Sequence, residues 1–142
     1  MALEILETPV AAAQVDALRG PRKRAYSAFL LELAANGCAA MSYRLAGPEP
    51  LPRLCVRHLR GADRVIVAFE QLDRAWVVLV GPHTADRESN IYDLLYRITG
   101  TPIEPSERRT KPPCCDEEGT APVGDEDLVN QLARRTRDVF GR

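Results

Sequence analysis

The stretch that decides the fold is R53-LCVRHLRGADRVIVAFEQLDRAWVVLVGP-H83, which holds three consecutive β signals. Leu54, Val56 and His58 alternate, then Val65, Val67 and Phe69, and then Ala75 to Val80 runs apolar without a break. Gly61-Ala62-Asp63 and Gln71 to Arg74 separate the three runs. Connections this short join only antiparallel neighbours, so the stretch predicts a β-meander. Its third run is apolar on both faces, which predicts a central strand covered on one side by helices and on the other by a second layer.

Upstream, Leu3 to Thr8 reads as a short strand ended by Pro9, and Val10 to Leu18 as a helix with Val15 and Leu18 on one face. Gly20 closes that helix, and Pro21 sits at the start of a second, where its missing N–H costs nothing. Ala25, Phe29, Leu30, Leu33 and Ala34 recur at helical steps until Asn36-Gly37 stops the run. The two helices form either a tight hairpin or one helix kinked at the proline, and the hairpin is preferred. Between Ala39 and Pro52 the pattern dissolves among Gly47, Pro48, Pro50 and Pro52, with room for a short edge strand at Met41 to Leu45.

Downstream, Asn90 is placed to cap a helix over Ile91 to Ile98, whose Ile91, Leu94, Leu95 and Ile98 form one apolar stripe before Gly100. Residues 102–124 contain five prolines and read as an irregular linker, and 125–142 as an amphipathic helix with Leu128, Leu132 and Val139 inward. The expected organisation is therefore an α+β domain over 1–101, the linker, and an added helix.

Composition narrows function more by exclusion. The net charge is −1, and residues 1–112 hold 15 Lys and Arg against 13 Asp and Glu, whereas 113–142 hold 4 against 7. Neither part looks like a strongly basic nucleic-acid binder. The longest apolar run is too short to cross a bilayer, and Met1 to Pro9 lacks the layout of a signal peptide, so a cytoplasmic protein without membrane partners is expected. Cys38, Cys55, Cys114 and Cys115 show neither zinc-site spacing nor the density of a disulfide framework, so reduced thiols and no metal are expected. The pair Cys114-Cys115, with His58 or His83, makes at best a poor soft-metal site. No Walker loop, GxGxxG or HExxH is present, and no cofactor is expected.

The segments EILETP, VDALRGPRKR, a helix ending at LELAANG, then RLCVRHLRGADRVIVAF, AWVVLVGPH and IYDLL follow one another over about residues 2–98. In this order they resemble the RelE/ParE toxins. The resemblance implies a RelE-like α+β fold: N-terminal strand, helical hairpin, antiparallel meander and short C-terminal helix, here with a C-terminal extension.

Membership of the ribosome-dependent branch would imply an endoribonuclease that cleaves messenger RNA on the ribosome, inhibits translation, and is held inactive by a cognate antitoxin. That chemistry needs a base at the 2′-hydroxyl, cations around the phosphate and an acid for the leaving oxygen. By position, the resemblance implies Arg64 as a phosphate clamp, His83 as acid or base, and Arg87 and Tyr92 as the further basic residue and tyrosine. The six residues TADRES between His83 and the helix are longer than the family's usual connection, which leaves Arg87 the weakest match.

Lys23, Arg24, Arg57 and Arg60, with His58, can form a positive RNA-binding face, but a solvated face explains the same residues and is preferred, since this part of the chain is only weakly basic. Plain structural duties compete for the others: a strand-end salt bridge for Arg64, a turn for His83, core packing for Tyr92. Two further readings are a ParE-like inhibitor of a topoisomerase and a non-toxic RelE-fold scaffold whose acidic tail covers the basic face in cis.

Overall fold

A computed structural model describes residues 3–71, 73–86, 88–100, 112–124 and 126–140 of the chain. It is an α+β protein built on one mixed five-stranded sheet, with helices on both sides.

Strand β1 (Glu4–Glu7) leads into α1 (Pro9–Asp16), and Thr8 makes the corner. Its hydroxyl oxygen accepts from Ala11 N at 3.1 Å as an N-cap, and its hydroxyl donates to Val78 O at 2.9 Å. Helix α2 (Gly20–Asn36) follows after Ala17 to Arg19, and Gly20 takes φ +56° there, so the chain breaks between two helices instead of kinking within one. The two helices do not pack mainly on each other as the expected hairpin would. Helix α1 lies chiefly along β5 and α4, and α2 sets Tyr26, Phe29 and Leu33 on the sheet.

The short edge strand β2 (Tyr43–Arg44) falls inside the expected 41–45 segment. The meander is β3 (Leu54–His58), β4 (Asp63–Gln71) and β5 (Arg74–Pro82), all antiparallel, in the sheet order β1-β5-β4-β3-β2. Strand β1 pairs with β5 in parallel, which makes the sheet mixed. Gly61 at φ +60° turns β3 into β4, and Asp63 N donates to Arg60 O at 3.2 Å.

Both central strands are buried on both faces. Val65, Val67 and Phe69 of β4 with Ala75, Val77 and Val80 of β5 meet α2, while Ile66, Ala68, Val78 and Leu79 meet α3 (Ile91–Thr99) and Leu132 of α4 (Glu126–Phe140). The second cover demanded by the apolar β5 is thus supplied by α3 and α4. The stripe Ile91, Leu94, Leu95 and Ile98 is buried as its spacing requires. In α4, Leu132 is buried and Leu128 half-buried, and the Val139 side chain lies outside the described part.

The thiols depart from expectation. Cys38 is bonded to Cys115 and Cys55 to Cys114, and none of the four is free. The reduced-thiol expectation is therefore corrected, and with it the soft-metal reading of Cys114-Cys115, because those sulfurs are consumed. Sequence separations of 77 and 59 residues hid the pairing, since only the folded sheet brings the Cα atoms to 5.3 and 5.7 Å.

The segment 112–124, expected as a linker, is ordered by more than the disulfides. Pro112 O accepts from Arg44 N at 2.8 Å on the β2 edge, and Gly124 N donates to Phe69 O at 2.8 Å. Val123 bridges Phe69 in parallel where β4 runs past the start of β3. Among the described residues, no helix is long and apolar enough to cross a membrane.

Candidate functional site

At one end of the sheet, on the α3 side, strand register gathers side chains from four places in the chain. His58 ends β3 and pairs with Arg64 near the start of β4, and Arg64 pairs in turn with Gly81 of β5. Residues opposite one another share a face, so His58 and Arg64 are neighbours across the ladder. Gly81 contributes no side chain, and a Cβ built there would meet no atom within 4 Å. The glycine leaves the flank of Arg64 open.

Tyr92 enters from the first turn of α3. Its hydroxyl is 2.8 Å from that of Tyr43 on β2, either one serving as donor. The His83 ring meets the Tyr92 ring edge-on at a centroid distance of 4.9 Å, and the His58 ring meets that of Tyr43 in the same way at 5.4 Å. Burial first, then the Tyr43 hydroxyl, hold the Tyr92 phenol well above its ordinary pKa, while Arg64 beside it pulls the other way. Tyr92 is therefore a neutral proton donor at physiological pH.

Arg64 Nη1 donates to Gly61 O at 3.1 Å and to Asp63 O at 2.9 Å, which folds the guanidinium back over its own turn. Its Nε is buried with no acceptor among the described residues. An unmet buried donor calls for a water or a ligand oxygen that the described residues do not supply.

The loop after β5 brings His83 into place despite its length. Asp86 folds it into a tight turn: its carboxylate accepts from Glu88 N at 3.1 Å and Ser89 Oγ at 3.0 Å, and its carbonyl accepts from Asn90 N at 2.8 Å. Asn90 stands at the N-cap position as expected but does not cap. Its Oδ1 accepts from Thr84 N at 3.0 Å, beside His83, and its Nδ2 donates to Asp93 Oδ2 at 2.8 Å. His83 N donates to Ala62 O at 2.8 Å, which fastens it to the β3–β4 turn.

Of the four residues expected to act on RNA, Arg64, His83 and Tyr92 are brought together, and Arg87 lies outside the described residues. The expected RNA-binding residues divide. Arg24 and Arg60 are exposed, and Arg60 stands in the β3–β4 turn at this end of the sheet. Lys23 Nζ donates to Val15 O at 3.1 Å, so its ammonium ties α2 to α1. Arg57 faces the opposite side, where it donates to Glu32 and to Ala40 O and lies over the Phe29 ring at 5.5 Å. Its guanidinium is a structural clamp.

Three residues were missed as members of the site or its support. Tyr43 lies in the expected edge strand with no pattern to mark its side chain, His58 reads only as part of a charged face or a poor metal ligand, and Arg22 is one basic residue in a run. Arg22 grips Asp63 bidentately at 2.7 and 2.8 Å, and the nearly buried carboxylate raises its pKa. This pair pins the start of α2 to the turn that presents Arg64.

Helix α4 lies elsewhere. Arg135 donates to Ile98 O and Thr99 O at 3.3 and 3.2 Å, at the end of α3 remote from Tyr92, and the helix packs on α1, α3, β4 and β5. Among the described residues, no group of three or more His, Cys, Asp or Glu side chains could hold a metal ion. No protein-family model matches the chain, and no curated protein matches it in sequence.

Proposed function

We propose that this is a RelE-like toxin that cleaves messenger RNA on the ribosome by metal-independent transphosphorylation. The observation that carries the reading is the gathering of Arg64, Tyr92 and His83 at one end of the sheet, with the Arg64 side chain beside the Tyr92 phenol and the Tyr92 ring against His83. Phosphodiester cleavage by an adjacent 2′-hydroxyl needs little beyond cationic donors for the phosphate and groups that move two protons.

In this reading Arg64 holds a non-bridging phosphate oxygen, His83 moves a proton, and Tyr92, kept neutral, donates a hydrogen bond to the developing charge. Arg24 and Arg60 steer the polyanion. A cognate antitoxin would occupy the same end of the sheet. The reading places the protein in the cytoplasm, where its disulfides must withstand a reducing pool. Thiol exchange depends on access to a sulfur: Cys55 and Cys114 are 0% and 2% exposed, so their bond is sheltered, whereas Cys115 of the other bond is partly exposed.

A ParE-like topoisomerase inhibitor is the second reading, favoured by the net charge of −1 and by the internal duties of Lys23 and Arg57. A scaffold without toxicity is the third. Purified protein added to programmed ribosomes, to free RNA and to a gyrase supercoiling assay separates them. The nuclease reading expects cuts in ribosome-bound message. Supercoiling inhibition with intact message would establish the second reading, and neither effect the third.

A further inference from the structure

The chain has only two histidines, and both stand at this one site, brought there from different strands' ends. We infer that His58 is a second catalytic residue, and that His58 and His83 divide the two proton transfers of RNA cleavage between them, one as base and one as acid. The inference rests on the ribonuclease reading and deepens it, since the resemblance that suggested His83 assigns nothing to His58.

The placement follows from the sheet. His58 is directly across the ladder from Arg64 on the β3 side, so the two side chains rise from the same face about 5 Å apart at their Cβ atoms. On the other flank the partner of Arg64 is Gly81, which is bare, and His83 follows just beyond the strand. A phosphate held by the Arg64 guanidinium is thus bracketed by one imidazole on each side. Attack on phosphorus and departure from it occur on opposite sides, so base and acid must also stand on opposite sides. Both histidines are exposed enough to touch a substrate, and the bonded hydroxyls of Tyr43 and Tyr92 close the floor between them.

The step balances without an added reactant. The 2′-oxygen forms a bond to phosphorus and gives its proton to one neutral imidazole, while the P–O5′ bond breaks and the 5′-oxygen takes a proton from the other, protonated imidazole. The products are a 2′,3′-cyclic phosphate and a 5′-hydroxyl, and nothing is oxidised or reduced.

The test uses ribosomes programmed with a message whose scissile linkage carries either the ordinary 5′-oxygen or a bridging 5′-sulfur, which leaves as thiolate and needs no acid. Parent, His58→Ala and His83→Ala are compared, with circular dichroism to confirm folding and His58→Gln to retain size and polarity. On the ordinary linkage each histidine variant, His58→Gln included, should lose about 100-fold or more in rate. On the sulfur linkage one alanine variant should recover to within about tenfold of the parent and the other should not. Cleavage of the ordinary linkage by His58→Ala at the parental rate overturns the assignment, as does sulfur rescue of both variants or of neither. A parent that cuts neither linkage overturns the ribonuclease reading itself, and the role of His58 with it.

Discussion

Single side chains in this protein divide into those that finish the fold and those left open to a ligand, and the difference lies in where each polar atom is satisfied. Arg22 spends its guanidinium on Asp63, whose side chain is only 7% exposed. Arg22→Ala should cost about 2 kcal/mol in urea unfolding, because the carboxylate then stays nearly buried without its partner. Tyr43 has a subtler duty. Tyr43→Phe removes the hydroxyl that helps hold the Tyr92 phenol neutral, so the Tyr92 pKa should fall while staying above that of a free tyrosine, because burial is the larger cause. Spectrophotometric alkaline titration of the variant against the parent reads this directly, and an unchanged Tyr92 midpoint would show that the hydroxyl pair is not formed. Neither role was legible in the sequence. Arg22 was one cation among three, and nothing in the order of residues says that Lys23 turns inward to a carbonyl while its neighbour Arg24 stays in water.

At the scale of elements, the strongly periodic segments were legible and the irregular ones were not. Apolar residues on both faces of β5 required two covering layers, and α2 on one side with α3 and α4 on the other provide them. The stripe of α3 was equally plain. What resisted was anything set by register or by a loop: Tyr43 reaches Tyr92 only because β2 pairs with β3, and His58 faces Arg64 only through the β3–β4 pairing. Half of the site was thus written in strand pairing, to which local pattern is blind. The loop ahead of α3 makes the same point. Its length made Arg87 the weakest match and says nothing of where His83 lands, yet Asp86 and Asn90 fold the loop so that His83 meets Tyr92. Asn90→Ala removes two hydrogen bonds and should cost about 1–2 kcal/mol in thermal or chemical unfolding. It should also lower cleavage more than the stability loss explains, since Thr84 and therefore His83 are released; full activity in the variant would show that the loop does not position the histidine.

For the whole molecule, the adjacent cysteines are the chief lesson. Read along the chain, 102–124 is a proline-rich connector, but Cys114 and Cys115 fasten it to β3 and to the turn after α2, and Val123 continues the sheet at β4. Each bond closes a long loop, and the described tail contributes Cys114 and Leu132 to the two sides of the core. Cys55→Ser with Cys114→Ser should lower stability by about 2–5 kcal/mol under oxidising conditions. Thermal melts with and without reductant check this: the gap between parent and variant should close once the parent is fully reduced, and a parent insensitive to reductant would mean the bonds add nothing. The measurement that bears most directly on function is induced expression in a bacterial host, with growth followed and transcript 5′ ends mapped, beside a variant carrying Arg64→Ala and Tyr92→Phe. Growth arrest with new cuts inside translated messages, both lost in the variant, is the predicted result; normal growth with intact transcripts, or cuts that persist in the variant, would contradict the proposed ribonuclease.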